Sequence, residues 1–174
     1  MRSIQDTMPP TTQTTEPDGK LVLPWDLTDW VDKEQLLHWI KDEVGSLDWS
    51  NLELLAYLKT HPDYRPKTML CLLTYAYAIG VYESEEMVRH CYEDEVFRAL
   101  CESHPPTTNA IGRFRRENRG LLKWALEQLL KRALCAKYSL GDMLLPSGLR
   151  RHLMDLALER LNVARHMDRA AQGA

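Results

Sequence analysis

Three polar residues near a predicted helix start have the types and spacing that can read bases in DNA. Asn109, Arg113 and Arg116 are four and three residues apart, so a helix would place them on one face. Arginine can bind guanine through two hydrogen bonds, and asparagine can bind adenine in the same way. Gly112 lies among them and would let the backbone approach a groove, at a cost of about 1 kcal/mol in helix propensity. We expect this face to meet base edges.

Hydroxyl and basic side chains surround this face and would hold the DNA backbone. Thr107 or Thr108 is the expected N-cap, because either hydroxyl can accept a hydrogen bond from a free N–H group of the first turn. Arg115, Arg119 and Lys123 flank the face and would suit phosphates. The ordinary alternative is a solvated helix side that binds nothing.

The same helix is predicted to run to about Lys137 and to bury its opposite side. At 100° per residue, seven apolar residues share that side: Ala110, Ile111, Phe114, Leu121, Leu122, Ala125 and Leu129. One face would anchor the helix in the core and the other would present its cations.

Charge is unevenly distributed along the chain. The 174 residues carry a net −3, which argues against strong sequence-independent binding of DNA. Residues 1–104 have 9 Lys and Arg against 19 Asp and Glu, a net −10, whereas residues 105–174 have 13 against 6, a net +7. This split favours an interaction surface in the basic half. The alternative is that the two halves neutralise each other in the folded chain.

The sequence has no run of about 18 apolar residues and no basic N-terminal region followed by an apolar stretch. We therefore expect a cytoplasmic protein, associated with the nucleoid if it binds DNA. Cys71, Cys91, Cys101 and Cys135 lie in apolar segments of helical period, where a free thiol behaves as a small hydrophobe.

The chain is predicted to be all-α, a compact helical bundle. Residues 1–20 are mostly polar and rich in Thr and Pro, and are expected to form a disordered tail. No stretch alternates apolar and polar residues as a half-buried strand would. Residues 21–138 would form one helical domain, and residues 139–174 a loop followed by an amphipathic helix.

Caps and breakers predict where the helices lie. Asp32 would cap a first helix of about three turns, Pro66 would open a helix over 67–81 that is apolar on all sides, and Ser84 would cap the next. The other expected helices are 51–59, a short one that starts at Glu93 or Asp94, and 147–168.

Several short motifs follow one another in a defined order. Arg65-Pro66 precedes the apolar helix, Gly80 lies near its end, and Ser84-Glu85-Glu86 follows. Glu93-Asp94-Glu95-Val96-Phe97-Arg98 and Ile111-Gly112-Arg113-Phe114-Arg115-Arg116 come next. Over residues 25–135 this order resembles the N-terminal domain of bacterial insertion-sequence transposases of the DDE class.

The resemblance implies a helix-turn-helix-like unit, here about residues 67–130, that recognises double-stranded DNA such as transposon ends. The family often has Ser or Thr before the Ile, where this chain has Ala110, so a hydroxyl or amide contact must come from Thr107, Thr108 or Asn109. In the family a ribonuclease-H-like domain with three catalytic carboxylates follows. After Lys137 this chain continues for 37 residues without a strand pattern. We therefore expect a non-catalytic, transposase-derived DNA-binding protein, at most a truncated transposase of a mobile element.

The remaining carboxylates do not form the pattern of a two-metal site. Such a site needs rigidly held ligands around two ions that are about 3.5–4 Å apart. Asp155 and Glu159 are four residues apart among arginines, where surface ion pairs are the better account. Asp142 and Asp168 add no such pattern.

A zinc site could be written from His90, Cys91, Cys101 and His104, but their spacing fits no compact finger. The neighbours His90 and Cys91 would point about 100° apart on a helix. No metal, cofactor or small-molecule substrate is expected.

A second hypothesis is a protein interaction or dimerisation module. In that case the basic C-terminal half would meet an acidic partner, or the last helix would pair with a second copy in a homodimer.

Overall fold

The computed structural model describes residues 22–51, 64–141 and 145–173. Within these ranges a short 3-10 turn, Leu27–Asp29, precedes seven helices: α1 (Lys33–Gly45), α2 (Pro66–Ala78), α3 (Ser84–Glu93), α4 (Glu95–Leu100), α5 (Thr108–Glu117), α6 (Arg119–Tyr138) and α7 (Ser147–Gln172). No described residue lies in a strand, which confirms the all-α prediction. The tail expected at 1–20, and all but the first residue of the helix expected at 51–59, fall outside the described residues.

None of these seven helices combines the length and the apolar character that crossing a membrane requires.

Short polar side chains begin three of the helices as predicted. The Asp32 carboxylate accepts from the Gln35 N–H at 2.9 Å, the Thr107 hydroxyl accepts from the Ala110 N–H at 3.1 Å, and Asp94 caps α4. The prediction for α3 was wrong. Its N-cap is Glu83, which makes no side-chain cap bond, because the Ser84 hydroxyl is bonded to Arg115 instead.

Helix α2 is the centre of the bundle, as its apolar circumference predicted. Every residue from Met69 to Ala78 is buried, and α1, α4, α5 and α6 all contact the helix. Pro66 occupies its first position. At its other end Gly80 has a φ of 81°, and the Val81 N–H donates to the Ala76 carbonyl at 2.8 Å, which is the bond of a Schellman motif.

The long helix expected from Thr108 to Lys137 is broken at Asn118. This residue leaves the helical conformation, with φ −121° and ψ 32°, and separates α5 from α6. Its buried side chain turns back and donates to the Phe114 carbonyl at 3.3 Å. Because the helix is interrupted there, residues on either side of Asn118 do not follow the single 100° wheel that one continuous helix would give them.

Helix α7 lies against the same core as the rest of the chain, chiefly against α6. Its buried apolar residues are Leu153, Ala157, Leu161 and Ala164. The helix extends four residues beyond the predicted end at Asp168, to Gln172.

A buried arginine joins α7 to the end of α2. Arg160 is 2% exposed, and its guanidinium donates to the Tyr77 carbonyl at 2.6 Å and to the Ala78 carbonyl at 3.3 Å. It also donates to the Pro24 and Trp25 carbonyls at 2.6 and 2.7 Å. The carbonyls that end a helix carry partial negative charge, which compensates the cation. Burial lowers the pKa of Arg160, but a guanidinium stays charged in proteins.

Replacing Arg160 by Met should therefore lower the free energy of unfolding by about 3 kcal/mol, because several buried carbonyls lose their donors. Urea denaturation followed by circular dichroism measures this. Arg151→Met is the matched control, since Arg151 is exposed on the same helix, and it should change stability by less than about 0.5 kcal/mol. Equal losses in the two variants would contradict the role assigned to Arg160.

Candidate nucleic-acid interface

An open groove brings together the residues that were predicted to read bases. It runs between the start of α3, the outer face of α5 and the last turns of α7. Its α5 side consists of Thr108, Asn109, Gly112, Arg113 and Arg116.

Helix packing accounts for this arrangement. Ala110, Ile111 and Phe114 are buried, so the other side of α5 faces outward. Asn109 and Arg116 are exposed and Arg113 is half-buried. Within the described residues, neither of these two arginines forms an ion pair within 4 Å. Thr107 and Thr108 are exposed at the helix start, where free backbone N–H groups attract anions.

Acidic residues line the opposite side of the groove. Glu83 and Glu85, from the start of α3, and Asp168, from α7, face the α5 arginines across it. The charge of Asp168 is neutralised by an ion pair with Arg115. Two arginines therefore share the groove with two glutamates, so its surface is mixed in charge.

The Arg116 side chain rests on Gly112. A Cβ added at Gly112 would lie 3.3 Å from Arg116 Nη1, a tight contact with the far end of a flexible side chain. The missing side chain at Gly112 therefore makes room for a guanidinium of the same helix. The sequence had suggested a different use, the close approach of a DNA backbone.

Arg115 is placed differently from the prediction. It is 6% exposed, and its guanidinium donates to the Tyr82 carbonyl, the Ser84 hydroxyl and the Asp168 carboxylate. These bonds occupy its two terminal nitrogens inside the protein, so Arg115 does not lie on the exposed face from which it was predicted to contact a DNA phosphate. Instead Arg115 ties together α3, α5 and the end of α7.

Arg119 and Lys123 belong to α6 and do not line the groove. Arg119 donates to the Asn162 side-chain oxygen at 2.7 Å and to the Leu161 carbonyl at 3.3 Å, both on α7. Lys123 pairs with Glu127 at 2.6 Å along α6. The break at Asn118 thus separates these two cations from the face they were expected to flank.

The two histidines of the hypothetical zinc set lie apart from its cysteines in other contacts or at the surface, while Cys91 and Cys101 are close to each other. The His90 ring stacks on Phe97, with ring centroids 4.9 Å apart, and His104 is exposed. All four cysteines are free, and Cys91 and Cys101 are buried. Burial, with Cys101 close by, raises the pKa of Cys91 to about 12, so its thiol stays protonated at neutral pH.

Within the described residues, no group of three or more His, Cys, Asp or Glu side chains is placed to hold a metal ion. Asp155 and Glu159 are exposed on α7, and Asp168 is bonded to Arg115. Asp142 lies outside the described residues.

The contact between Arg116 and Gly112 leads to a prediction about stability and about the position of the Arg116 side chain. Gly112→Ala should raise the free energy of unfolding by up to about 1 kcal/mol, because alanine favours the helix. It should also push the Arg116 guanidinium outward by a few tenths of an ångström. Thermal unfolding measures the first effect, and the crystal structure of the variant measures the second. A destabilised variant would show that the space at Gly112 serves packing against the core.

Comparison with known proteins places the chain in a family. A family model described as Transposase domain (DUF772) matches residues 25–117. No curated protein matches the chain, and no solved structure matches it. The matched segment runs from the 3-10 turn to the end of α5 and so includes the α3 and α5 sides of the groove, while α6 and α7 lie beyond it. Because the match covers more than half of the 174 residues, the chain belongs to this family of transposase domains.

Proposed function

We propose that this protein binds double-stranded DNA without cutting it, through the outer face of α5. The observation that carries the proposal is the groove in which Asn109, Arg113 and Arg116 lie together, exposed or half-buried and free of ion pairs within the described residues. Membership of a transposase-domain family makes DNA the natural partner. Transposon ends are the expected target, and the site of action would be the nucleoid.

The α5 helix has the form that a major groove accepts. The major groove is about 12 Å wide and admits one α-helix, whose N-terminal residues meet the base edges in helix-turn-helix proteins. Asn109 lies in the first turn of α5 and Arg113 one turn later, so both can approach neighbouring base pairs. The free N–H groups at the start of α5, together with Thr107 and Thr108, suit a phosphate of the flanking backbone.

The two glutamates in the groove lower the expected affinity for DNA. Glu83 and Glu85 lie across the groove from the arginines, so an approaching phosphate meets repulsion as well as attraction. The proposed complex therefore depends on direct contacts with bases and on close phosphates, and much less on a long-range positive field.

The non-catalytic part of the proposal rests on the acidic residues. Two-metal cleavage needs several carboxylates held on rigid elements around the ions. The described carboxylates of α7 are exposed singly or, for Asp168, paired with Arg115, and none converge on a common point. Bound DNA should remain uncut in the presence of Mg²⁺ or Mn²⁺.

A mobility-shift titration against random-sequence duplexes, followed by selection of the bound fraction, tests DNA binding. Replacing both Arg113 and Arg116 by Ala should weaken binding by about 10²-fold, since each good bidentate contact with a base contributes about tenfold. Arg150→Ala with Arg151→Ala is the matched control, because it removes the same charge from exposed positions on α7. Glu83→Gln with Glu85→Gln should strengthen binding. Equal losses in the two arginine double variants would contradict recognition through α5.

A dimerisation module is the second candidate function, and exposed apolar residues on α7 favour it. The face with Leu153, Ala157 and Leu161 already covers the protein's own core, so it is not free for a partner. Met154 and Leu158 remain 46% and 38% exposed and are four residues apart, on the side of α7 that faces away from that core.

The expected outcome for this candidate is a particle of twice the 20.2 kDa chain mass in light scattering. Met154→Gln with Leu158→Gln should then return the protein to the monomer, because the dimer would lose its buried apolar contact. A monomer at all concentrations of the unaltered chain would exclude this candidate and would leave the DNA-binding proposal untouched.

A further inference from the structure

A second pocket shares Arg116 and Asp168 with the groove and is lined by residues of α5, α6 and α7 and by Tyr77 near the end of α2. Its volume is about 240 Å³. Six polar side chains line it: Tyr77, Arg115, Arg116, Arg119, Arg165 and Asp168.

The pocket concentrates positive charge. Four guanidinium groups face it, while Asp168 is the one acidic side chain that lines it. The pKa of Arg119 is lowered, first by burial and then by the neighbouring charge of Arg165. The side chains of Arg165 and Arg116 are exposed and have no hydrogen bond or ion pair within the described residues. Like charges repel one another at this range, so an anion between them would relieve a cost that the free protein carries.

The floor of the pocket has two polar groups with unused donors. Tyr77 is fully buried, and the hydrogen of its hydroxyl has no acceptor among the described residues. The same is true of Arg115 Nε, although the two terminal nitrogens of this guanidinium are bonded. A buried donor without a partner is costly, and in a native protein it calls for a bound water or ion. A tyrosine hydroxyl also accepts, and Arg115 is close enough to donate to its oxygen, so the group that still needs an outside acceptor is the hydroxyl hydrogen of Tyr77.

We propose that this pocket binds one phosphate group. A phosphate offers several acceptor oxygens and negative charge, which match the forked donors of arginine and the Tyr77 hydroxyl. Pockets for drug-sized ligands start at about 300 Å³, so this one suits a compact anion and not a large ring system. The ion pair with Asp168 balances the charge of Arg115, which leaves Arg116, Arg119 and Arg165 to supply the net positive charge.

The phosphate could have two sources with the same chemistry. One is free inorganic phosphate. The other is a backbone phosphate of DNA bound to α5, because Arg116 lines both the groove and the pocket. The second source rests on the proposed function, whereas the pocket itself does not.

Binding of sodium phosphate to the full-length protein tests the proposal, by isothermal titration calorimetry and by thermal unfolding, with sodium chloride at matched ionic strength as the reference. We expect saturable binding and a rise in the unfolding temperature in phosphate alone. Arg165→Ala should weaken phosphate binding by about tenfold, because a charge-assisted contact is lost. Tyr77→Phe should weaken phosphate binding while leaving the protein folded, since only one hydroxyl is removed. Arg169→Ala, exposed one turn further along α7 and outside the pocket, is the matched control and should bind phosphate normally.

Two results would contradict the proposal that this pocket binds phosphate. One is stabilisation by phosphate no greater than that by chloride at equal ionic strength. The other is an equal effect of Arg165→Ala and Arg169→Ala, which would indicate general attraction of anions to α7.

The source is decided by the DNA titration. A tenfold loss of both phosphate and DNA binding in Arg165→Ala supports the pocket and assigns it to a backbone phosphate. A loss of phosphate binding with unchanged DNA affinity supports the pocket and assigns it to the free anion. If DNA does not bind at all while phosphate binds as expected, the proposed DNA-binding function is contradicted and the proposal of a phosphate site is retained.

Discussion

The structure depends on one buried charge placed against backbone carbonyls. Arg160 lies where α2 ends and binds carbonyls of that helix and of the segment before the 3-10 turn. Its interaction joins three parts of the chain that are distant in sequence, since Arg160 is 83 residues from Tyr77 and 135 from Trp25. Water cannot replace these bonds in a site that is 2% exposed, so the position of α7 along the core is fixed by hydrogen bonds as well as by apolar packing.

A second buried arginine, Arg115, fixes the end of α7 beside the groove. Arg115 holds Asp168 of α7 beside the start of α3, so the last turns of α7 form one side of the groove. The matched family segment ends at residue 117, before α6 and α7 begin. The surface around α5 in this protein is therefore completed by helices that lie outside the segment shared with the family.

Local chemistry could be read from the sequence, and long-range contacts could not. Asp32, Asp94 and Thr107 act as caps because capping involves atoms within three residues, and α2 is central because its apolar residues surround it. Arg115 and Arg160 were not recognised as buried, since their partners lie 31 to 136 residues away along the chain. A hint was present: Arg160 has the spacing of the apolar residues Ala157, Leu161 and Ala164 on α7. An arginine inside an apolar stripe indicates a buried cation that needs acceptors.

The uneven charge of the chain is partly used in folding. Arg132 of the basic half contacts Glu43 at 2.6 Å and Asp42 at 3.4 Å, while Arg115 and Arg160 bind carbonyls of the acidic half. The expectation that the two halves neutralise each other therefore holds for part of the charge, while the interaction surface expected in the basic half stays a prediction. Some arginines join the halves, and others, such as Arg113 and Arg116, remain at the surface.

The interruption at Asn118 also limits how much sequence α5 could recognise. A helix of 10 residues is about 15 Å long, and DNA rises about 3.4 Å per base pair, so α5 spans about four base pairs. With four possible bases at each position, a given sequence of four base pairs recurs about once in every 256 positions of random DNA. Binding to a single site in a genome would then require recognition of several such short sequences. Further copies of the chain, or another segment bound to the same duplex, would have to recognise the others.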